Sequence, residues 1–413
     1  MVNTGDDSSG AEPLLGEEGS VEWTVDYNGE AASESSGSAW LPASFIVGME
    51  IAERFAFTGI SCNLITYLTG PLRQSTATAA VNVNVWNGTA SLTPLLGAFI
   101  ADSCLGRYQT IIYFSLVYIS WQLHQEGTSP AHRHSELINL PDKTRRREAI
   151  PFLNKALGAA PDNNNQEGSL NNWNVCSVSQ VNEAKAILQL VPIWCACLVY
   201  AVISAQPSTF FTKQGSTLDR KIGSNFQIPA ASLQVFISIS IVFVMPAYDR
   251  VFVPIARVFT GKPRGITPLQ RIGWGMSFST TSMMFAAIIE RKRLETTTTI
   301  PMSVWWLVPQ YVSYGVSYAF TMVGLQEFFY DQVPDGLESV GMALYMSIFG
   351  IGNFLSGFLV SIINMVTSAN GQDSWVSSNL NDGHLDYFYW LLVGLNIAAM
   401  TAFICLAKLY IYN

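Results

Sequence analysis

Gly48-Met49-Glu50-Ile51-Ala52-Glu53-Arg54-Phe55-Ala56-Phe57 sets two carboxylates and a guanidinium inside an apolar run that otherwise reads as a membrane helix. At a bilayer centre each such charge costs about 2.5–3.5 kcal/mol on the insertion scale. Three of them facing lipid would cost on the order of 8–10 kcal/mol by the same figures. The run is tenable only if the charges face a protein interior or a wet cavity and neutralise one another. Helical spacing allows that. Glu50 and Arg54 are i,i+4 with the acid N-terminal to the base, and Glu53, i,i+3 from Glu50, shares their face. An intramembrane charge cluster of this kind marks a functional site by default.

The rest of the chain supports a membrane setting. Of 413 residues, 49% are hydrophobic and 13% charged, with a mean hydropathy of +0.26. A soluble domain carries about 25% charged residues, so long apolar runs at half that charge predict a polytopic membrane protein. The net charge of −8 comes largely from an N-terminal tail with acids from Asp6 to Glu34 and no base. No stretch is basic enough to bind nucleic acid. Residues 1–38 lack the basic and apolar regions of a cleavable signal peptide; rich in Gly, Ser and acid, they read as a disordered cytosolic tail. Glu12-Pro13-Leu14-Leu15 is a poor match to an acidic dileucine sorting signal.

Most of the six cysteines fall in or beside apolar spans, where a thiol packs as a small hydrophobe. Cys195-Ala196-Cys197 places its thiols about 100° apart on a helix, and His132-Arg133-His134 lies in a polar loop. No metal site, disulfide framework or cofactor site emerges. Neither does an HExxH, a phosphate loop or a catalytic triad, so the chain is not read as an enzyme.

Three apolar segments precede a long polar one: 45–68, 79–101 and 111–123. The third has about 13 residues, short of the ~20 that cross a bilayer core. Asn82, Asn84 and Asn87 make the second polar at its start, as suits a cavity-facing helix. Asn87-Gly88-Thr89 is a glycosylation sequon, discounted because it lies inside the span. Residues 124–185 form a polar loop holding Lys143-Thr144-Arg145-Arg146-Arg147. Six spans follow at 186–211, 230–255, 269–289, 304–330, 340–366 and 385–409, several broken by proline or glycine, as membrane bundles tolerate. Gly352 and Ser356 form a small-xxx-small pair for close helix packing. The basic loop at 132–155 and the cluster Arg250, Arg257, Lys262, Arg264 and Arg271 are two spans apart, so both are assigned to the cytosol. Arg291-Lys292-Arg293 opposes that rule.

Glu50-Ile51-Ala52-Glu53-Arg54 resembles the ExxER motif in the first helix of the proton-coupled oligopeptide transporter family. Asn63–Leu68, Gly97–Asp102 through Gly106-Arg107, Phe211–Gly215, Tyr248-Asp249-Arg250 with Pro254, and Gly324–Gln332 resemble its plant nitrate/peptide branch, in family order, over about 39–123 and 150–413. The resemblance implies an all-α major facilitator fold, two six-helix halves working by alternating access, and proton-driven movement of nitrate, small peptides or plant metabolites. Carried over, Glu50, Glu53 and Arg54 are the proton-coupling group, Glu327 the acidic cavity residue of the tenth helix, and Asp102, Gly106 and Arg107 a gating loop. Ser204, Gln206, Gln310 and Asn353 are polar residues within spans; they line a substrate path or satisfy helix–helix hydrogen bonds. Where Ser204 stands, a nitrate-specialised member is expected to carry histidine, which turns the expectation away from nitrate bound by that mechanism.

The chain departs from the family in its N-terminal half. Three helices, the third truncated near Leu123, stand where six are expected, while the C-terminal half is complete. Helices four to six are missing, and with them the lysine expected to pair with Glu327. The segment 296–301 is also short. A skipped exon or an incomplete gene model explains both more simply than an evolved nine-helix transporter. If the short third segment does not cross, the basic loop stays cytosolic, giving eight spans, one partial helix and nine helical segments. The expected partners are protons, a small solute and the bilayer of the plasma or vacuolar membrane, with homo- or hetero-oligomers open. The rival reading is a truncated, non-transporting isoform or an interfering partner of full-length relatives.

Overall fold

A computed structural model describes residues 40–100, 106–127, 178–222, 226–261, 265–296, 302–334, 337–369 and 374–410. The acidic tail, most of the polar loop with its histidines and basic cluster, Asp102, Cys104, Cys176 and the short segment 297–301 lie outside those residues. Among the described residues the chain is helical apart from one two-stranded hairpin. The longer helices among the described residues are α1 (Trp40–Thr69), α2 (Thr76–Ile100), α3 (Arg107–Gly127), α4 (Val178–Ser204), α5 (Val235–Ala247), α6 (Pro268–Thr296), α7 (Val308–Asp331), α8 (Glu338–Ser368) and α9 (Leu385–Leu409). The hairpin pairs β1 (Lys221–Ile222) with β2 (Phe226–Gln227), antiparallel, Lys221 opposite Gln227.

Five stretches are long and apolar enough to cross a membrane: Lys185–Ser216, Ala230–Val258, Pro268–Thr296, Glu338–Ser368 and Leu385–Leu409. α1, α2, α3 and α7 do not meet that combination of length, hydropathy and low charge. α3 does not end near Leu123 as expected. It continues as helix to Gly127, but is apolar only over Gln109–Ser120.

Two breaks at or near prolines interrupt the long spans as π turns. Past α4, the Phe211 N–H reaches back five residues to the Gln206 carbonyl at 3.0 Å. Pro207 has no N–H, and Gln206 turns its own N–H to Ile203. The carbonyls so left open are repaired by side chains. Gln206 Nε2 donates to Val202 O at 2.9 Å, while Thr212 Oγ1 and Gln234 Nε2 donate to Pro207 O at 2.8 and 3.0 Å. The second π turn, Tyr248–Phe252, precedes Pro254 in the extension of α5. Such turns are frequent at functional sites.

The chain divides into two compact units, residues 1–60 and 61–413. In the first, the described side chains of α1 are almost all exposed, Phe45 by 69% and Phe55 by 76%. The second holds two cores. One joins Ile65 and Leu68 of α1 and Ala77, Ala79, Ala80 and Val83 of α2 to Phe210, Phe211, Tyr311, Leu380 and Phe388 of the C-terminal half. The other packs α4, α6, α7, α8 and α9 around Ile193, Met276, Leu325, Phe328 and Phe403. Small residues set the crossings. A Cβ on Gly350 would lie 2.5 Å from Leu92, and one on Gly352 would collide with Ala201, so α2, α8 and α4 approach at backbone distance.

Candidate functional site

In the first unit, Arg54 Nε lies 2.8 Å from Glu50 Oε1 and 3.5 Å from Glu53 Oε2, so the three charges share one helix face as the spacing predicts. Their side chains are 57–67% exposed. Of the predicted gating loop, Asp102 is outside the described residues. Gly106 adopts a left-handed φ of 77° and caps α3, its carbonyl accepting from the Thr110 N–H and Oγ1. Arg107 is the first residue of α3.

Inside the second unit a polar seam runs between the N-terminal helices and the C-terminal half. Ser61 Oγ donates to Asn87 Oδ1 at 3.0 Å, and Asn87 Nδ2 to Ser208 Oγ at 3.3 Å. Asn84 Nδ2 and Gln206 Nε2 both donate to Ser356 Oγ, at 3.0 and 3.3 Å. One hydroxyl thus joins α2, the end of α4 and α8. Asn84 and Asn87 are buried, which bears out discounting the sequon.

Gln206, Gln310 and Asn353 are buried, and Ser204 is half-buried. Gln310 Nε2 donates to Gln214 Oε1 at 3.2 Å, Asn353 Nδ2 to Phe349 O, and Ser204 Oγ to Ala201 O. The side-chain oxygens of Gln206, Gln310 and Asn353 accept no hydrogen bond.

Glu327 is paired. Arg271 Nη1 lies 2.7 Å from Glu327 Oε2, and the same guanidinium donates through Nη2 to Tyr248 Oη at 2.8 Å and lies over the Tyr248 ring. The expectation that Glu327 lacks a basic partner is corrected: Arg271, read in the sequence only as a cytosolic marker, supplies the cation. Its position three residues into α6 carried no signal of contact with α7. Beside it a recess of about 30 Å³, room for about one water, is lined by Val244, Tyr248, Asp249, Arg271 and Phe320.

A second ion pair was not anticipated. Arg293 Nε and Nη2 hold both oxygens of Glu290 at 2.9 and 2.7 Å, and both residues are buried. Gln214 Nε2 donates to Glu290 Oε2 at 2.8 Å. Arg291 pairs with Glu295 at 3.3 Å, and Lys292 Nζ sits 3.8 Å from the Trp306 ring centroid. The run that opposed the positive-inside rule is therefore neutralised or engaged at every position.

Among the described residues no group of three or more His, Cys, Asp or Glu could hold a metal ion. The described cysteines Cys62, Cys195, Cys197 and Cys405 are free.

Comparison with known proteins gives this arrangement a family. The model of the POT family matches residues 108–376. The chain is 41% identical to Protein NRT1/PTR FAMILY 5.10 of Arabidopsis thaliana, covering 94% of this chain and 96% of that protein. It is 39% identical to NRT1/PTR FAMILY 5.12 of the same plant, covering 100% and 99%. The first alignment runs over 534 positions against a chain of 413 residues, so at least 121 of them pair a residue of the relative with none here. In fold, the chain is similar to an auto-inhibited POT family peptide transporter (TM-score 0.65, 15% identity, covering 90% of this chain and 97% of that one). It is similar also to the POT family transporter PepTSo (TM-score 0.64, 15% identity, 89% and 97%). With helices of spanning length and a fold shared with the major facilitator transporters of that family, this integral, multi-pass membrane protein belongs to the POT family, a family of transporters and not of enzymes.

Proposed function

We propose that the chain is a proton-coupled secondary transporter of small peptide-like solutes, nitrate or related plant metabolites, working by alternating access. The observation that carries the reading is the Glu50–Glu53–Arg54 cluster, in which one guanidinium bonds two carboxylates on a single helix face. Carboxylates inside membrane helices act as proton relays. On the acidic side one of them takes a proton, Arg54 is released to the other, and the face loses a charge. The side-chain oxygens of Gln206, Gln310 and Asn353 are the acceptors left over for a solute or for water once their amide nitrogens are used. Glu327 and Arg271 close the cytosolic end of that path, with Asp102, Gly106 and Arg107 as the matching loop of the N-terminal half.

A second reading, a chain that does not transport and pairs with full-length relatives, is favoured by the exposure of the same cluster. It is favoured too by the relative's unmatched positions, which we assign to helices four to six. Uptake into proteoliposomes under an imposed proton gradient separates the two. Proton-driven uptake that Glu53→Gln abolishes is expected of a transporter. Uptake that keeps its proton dependence in Glu53→Gln overturns the coupling role, and absence of uptake in the unmodified chain favours the second reading.

A further inference from the structure

We propose that the buried Glu290–Arg293 pair positions an outer gate, acting on the N-terminal helices through the loop before α9 and through Gln214. It deepens the alternating-access reading, on which its purpose rests; its test reads closure whether or not the chain moves a solute.

The end of the bundle at which Arg293 lies, the far end of α6 from Arg271, is packed shut. Ala77, Ala79 and Ala80 at the start of α2 are buried in one core with Val376 and Leu380 of the loop at 374–384. Among the described residues, two side-chain hydrogen bonds tie the end of α1 and the start of α2 to the C-terminal half there. Thr76 Oγ1 donates to Ser378 O at 3.3 Å, and Lys213 Nζ donates to Thr69 Oγ1 at 3.1 Å. Arg293 reaches the first of them. Beyond its two bonds to Glu290, Nη1 donates to Asn381 Oδ1 at 2.6 Å and Nη2 to Leu380 O at 2.7 Å, two residues from Ser378. Glu290 reaches the second by accepting from Gln214, the neighbour of Lys213. Both charges act through these partners and are positioning residues.

Packing alone gives no reason for charge at this depth, since a buried ion pair is often replaceable by apolar groups without loss of stability. A guanidinium with directed donors fixes what apolar groups leave free: the register of a loop carbonyl. The Gln214 link also ties the segment after the Pro207–Phe211 π turn to α6. Breaking the pair frees the loop and that segment together, two pieces of the C-terminal half that reach α1 and α2 by hydrogen bonds at this end.

The test places a reporter cysteine, Ala77→Cys, in the full chain in nanodiscs and follows its reaction with a maleimide peptide by peptide, so that the native cysteines stay. A second reporter, Met276→Cys, sits in the other core, where the native side chain is fully buried. Arg293→Gln is expected to raise labelling of the first reporter by about ten-fold, as local opening does, and to leave the second unchanged. Glu290→Gln, which keeps a group for Gln214, is expected to raise it less. An unchanged first reporter overturns the proposal, and so does an equal rise at both, which is general loosening. If Arg293→Gln gives no monodisperse protein, Asn381→Ala removes one acceptor, leaves the ion pair intact and carries the test with the same two outcomes.

Discussion

Two acid–base clusters of nearly the same design stand in opposite surroundings. Arg54 bonds Glu50 four residues away and Glu53 beside it, and all three are more than half exposed. Arg293 bonds Glu290 three residues away, and the two are 4% and 0% exposed. The second has its remaining polar capacity met by Gln214, Asn381 and the Leu380 carbonyl. The first is set among side chains of α1 that are almost all exposed. The difference teaches that a charged face in a membrane helix is not by itself a finished site. What makes it tolerable is the set of neighbours that bond it, and those come from elsewhere in the chain.

The sharpest way to break the comparison is to remove one partner of the buried pair. Arg293→Met leaves the Glu290 carboxylate without its cation, and loss of one partner from a buried pair costs about 3–5 kcal/mol. A fall of that size in the unfolding free energy of the detergent-solubilised protein is expected. Glu290→Leu with Arg293→Met removes both charges and is expected to recover at least half of the loss. Single and double variants that lose equally would show that Gln214 and the loop, and not the pair, hold this end.

How far each cluster was legible follows from the same contrast. Glu50-Ile51-Ala52-Glu53-Arg54 announces itself because charge in an apolar run is costly and the helix period puts all three on one face. Glu290 and Arg293 sit where a span gives way to Arg291-Lys292-Arg293, and a terminal charge run reads as solvated. Their burial depends on Gln214 and Asn381, 76 and 88 residues away, which no local pattern predicts. The same limit hid the Arg271–Glu327 contact between α6 and α7. The apolar spans of the C-terminal half were readable from hydropathy, and the small residues at 350–356 foretold close packing. The π turn after Gln206 was not readable, because proline marks a break without saying which side chain will mend it. Gln234 is one that does.

That repair gives the intermediate effect. Gln234→Leu removes the amide that bonds Pro207 O and Thr212 Oγ1. A buried carbonyl that loses a donor costs about 1–3 kcal/mol. Because Thr212 Oγ1 still reaches Pro207 O at 2.8 Å, the lower part of that range is expected in chemical unfolding. The hydrogen exchange of 207–216 is expected to quicken while α9 is unaffected. Quickening spread evenly over both would mean that the break is held by packing alone.

The smallest effect falls on the cluster that the sequence made most prominent. An exposed ion pair contributes about 0.2–1 kcal/mol, and many contribute nothing measurable. With Glu50 and Arg54 exposed by 60% and 67%, Glu50→Gln is expected to change the stability of the detergent-solubilised chain by less than about 0.5 kcal/mol. Arg291→Gln, at an equally exposed pair on α6, is expected to match it. The two substitutions part company only if something covers α1. A loss above about 2 kcal/mol for Glu50→Gln alone would be the cost of a charge left unpaired in a desolvated setting, and would mean that another chain, or a second copy, is seated on that face. Equal and negligible losses would mean that nothing desolvates that face and that the Glu50–Arg54 pair behaves as an ordinary exposed one.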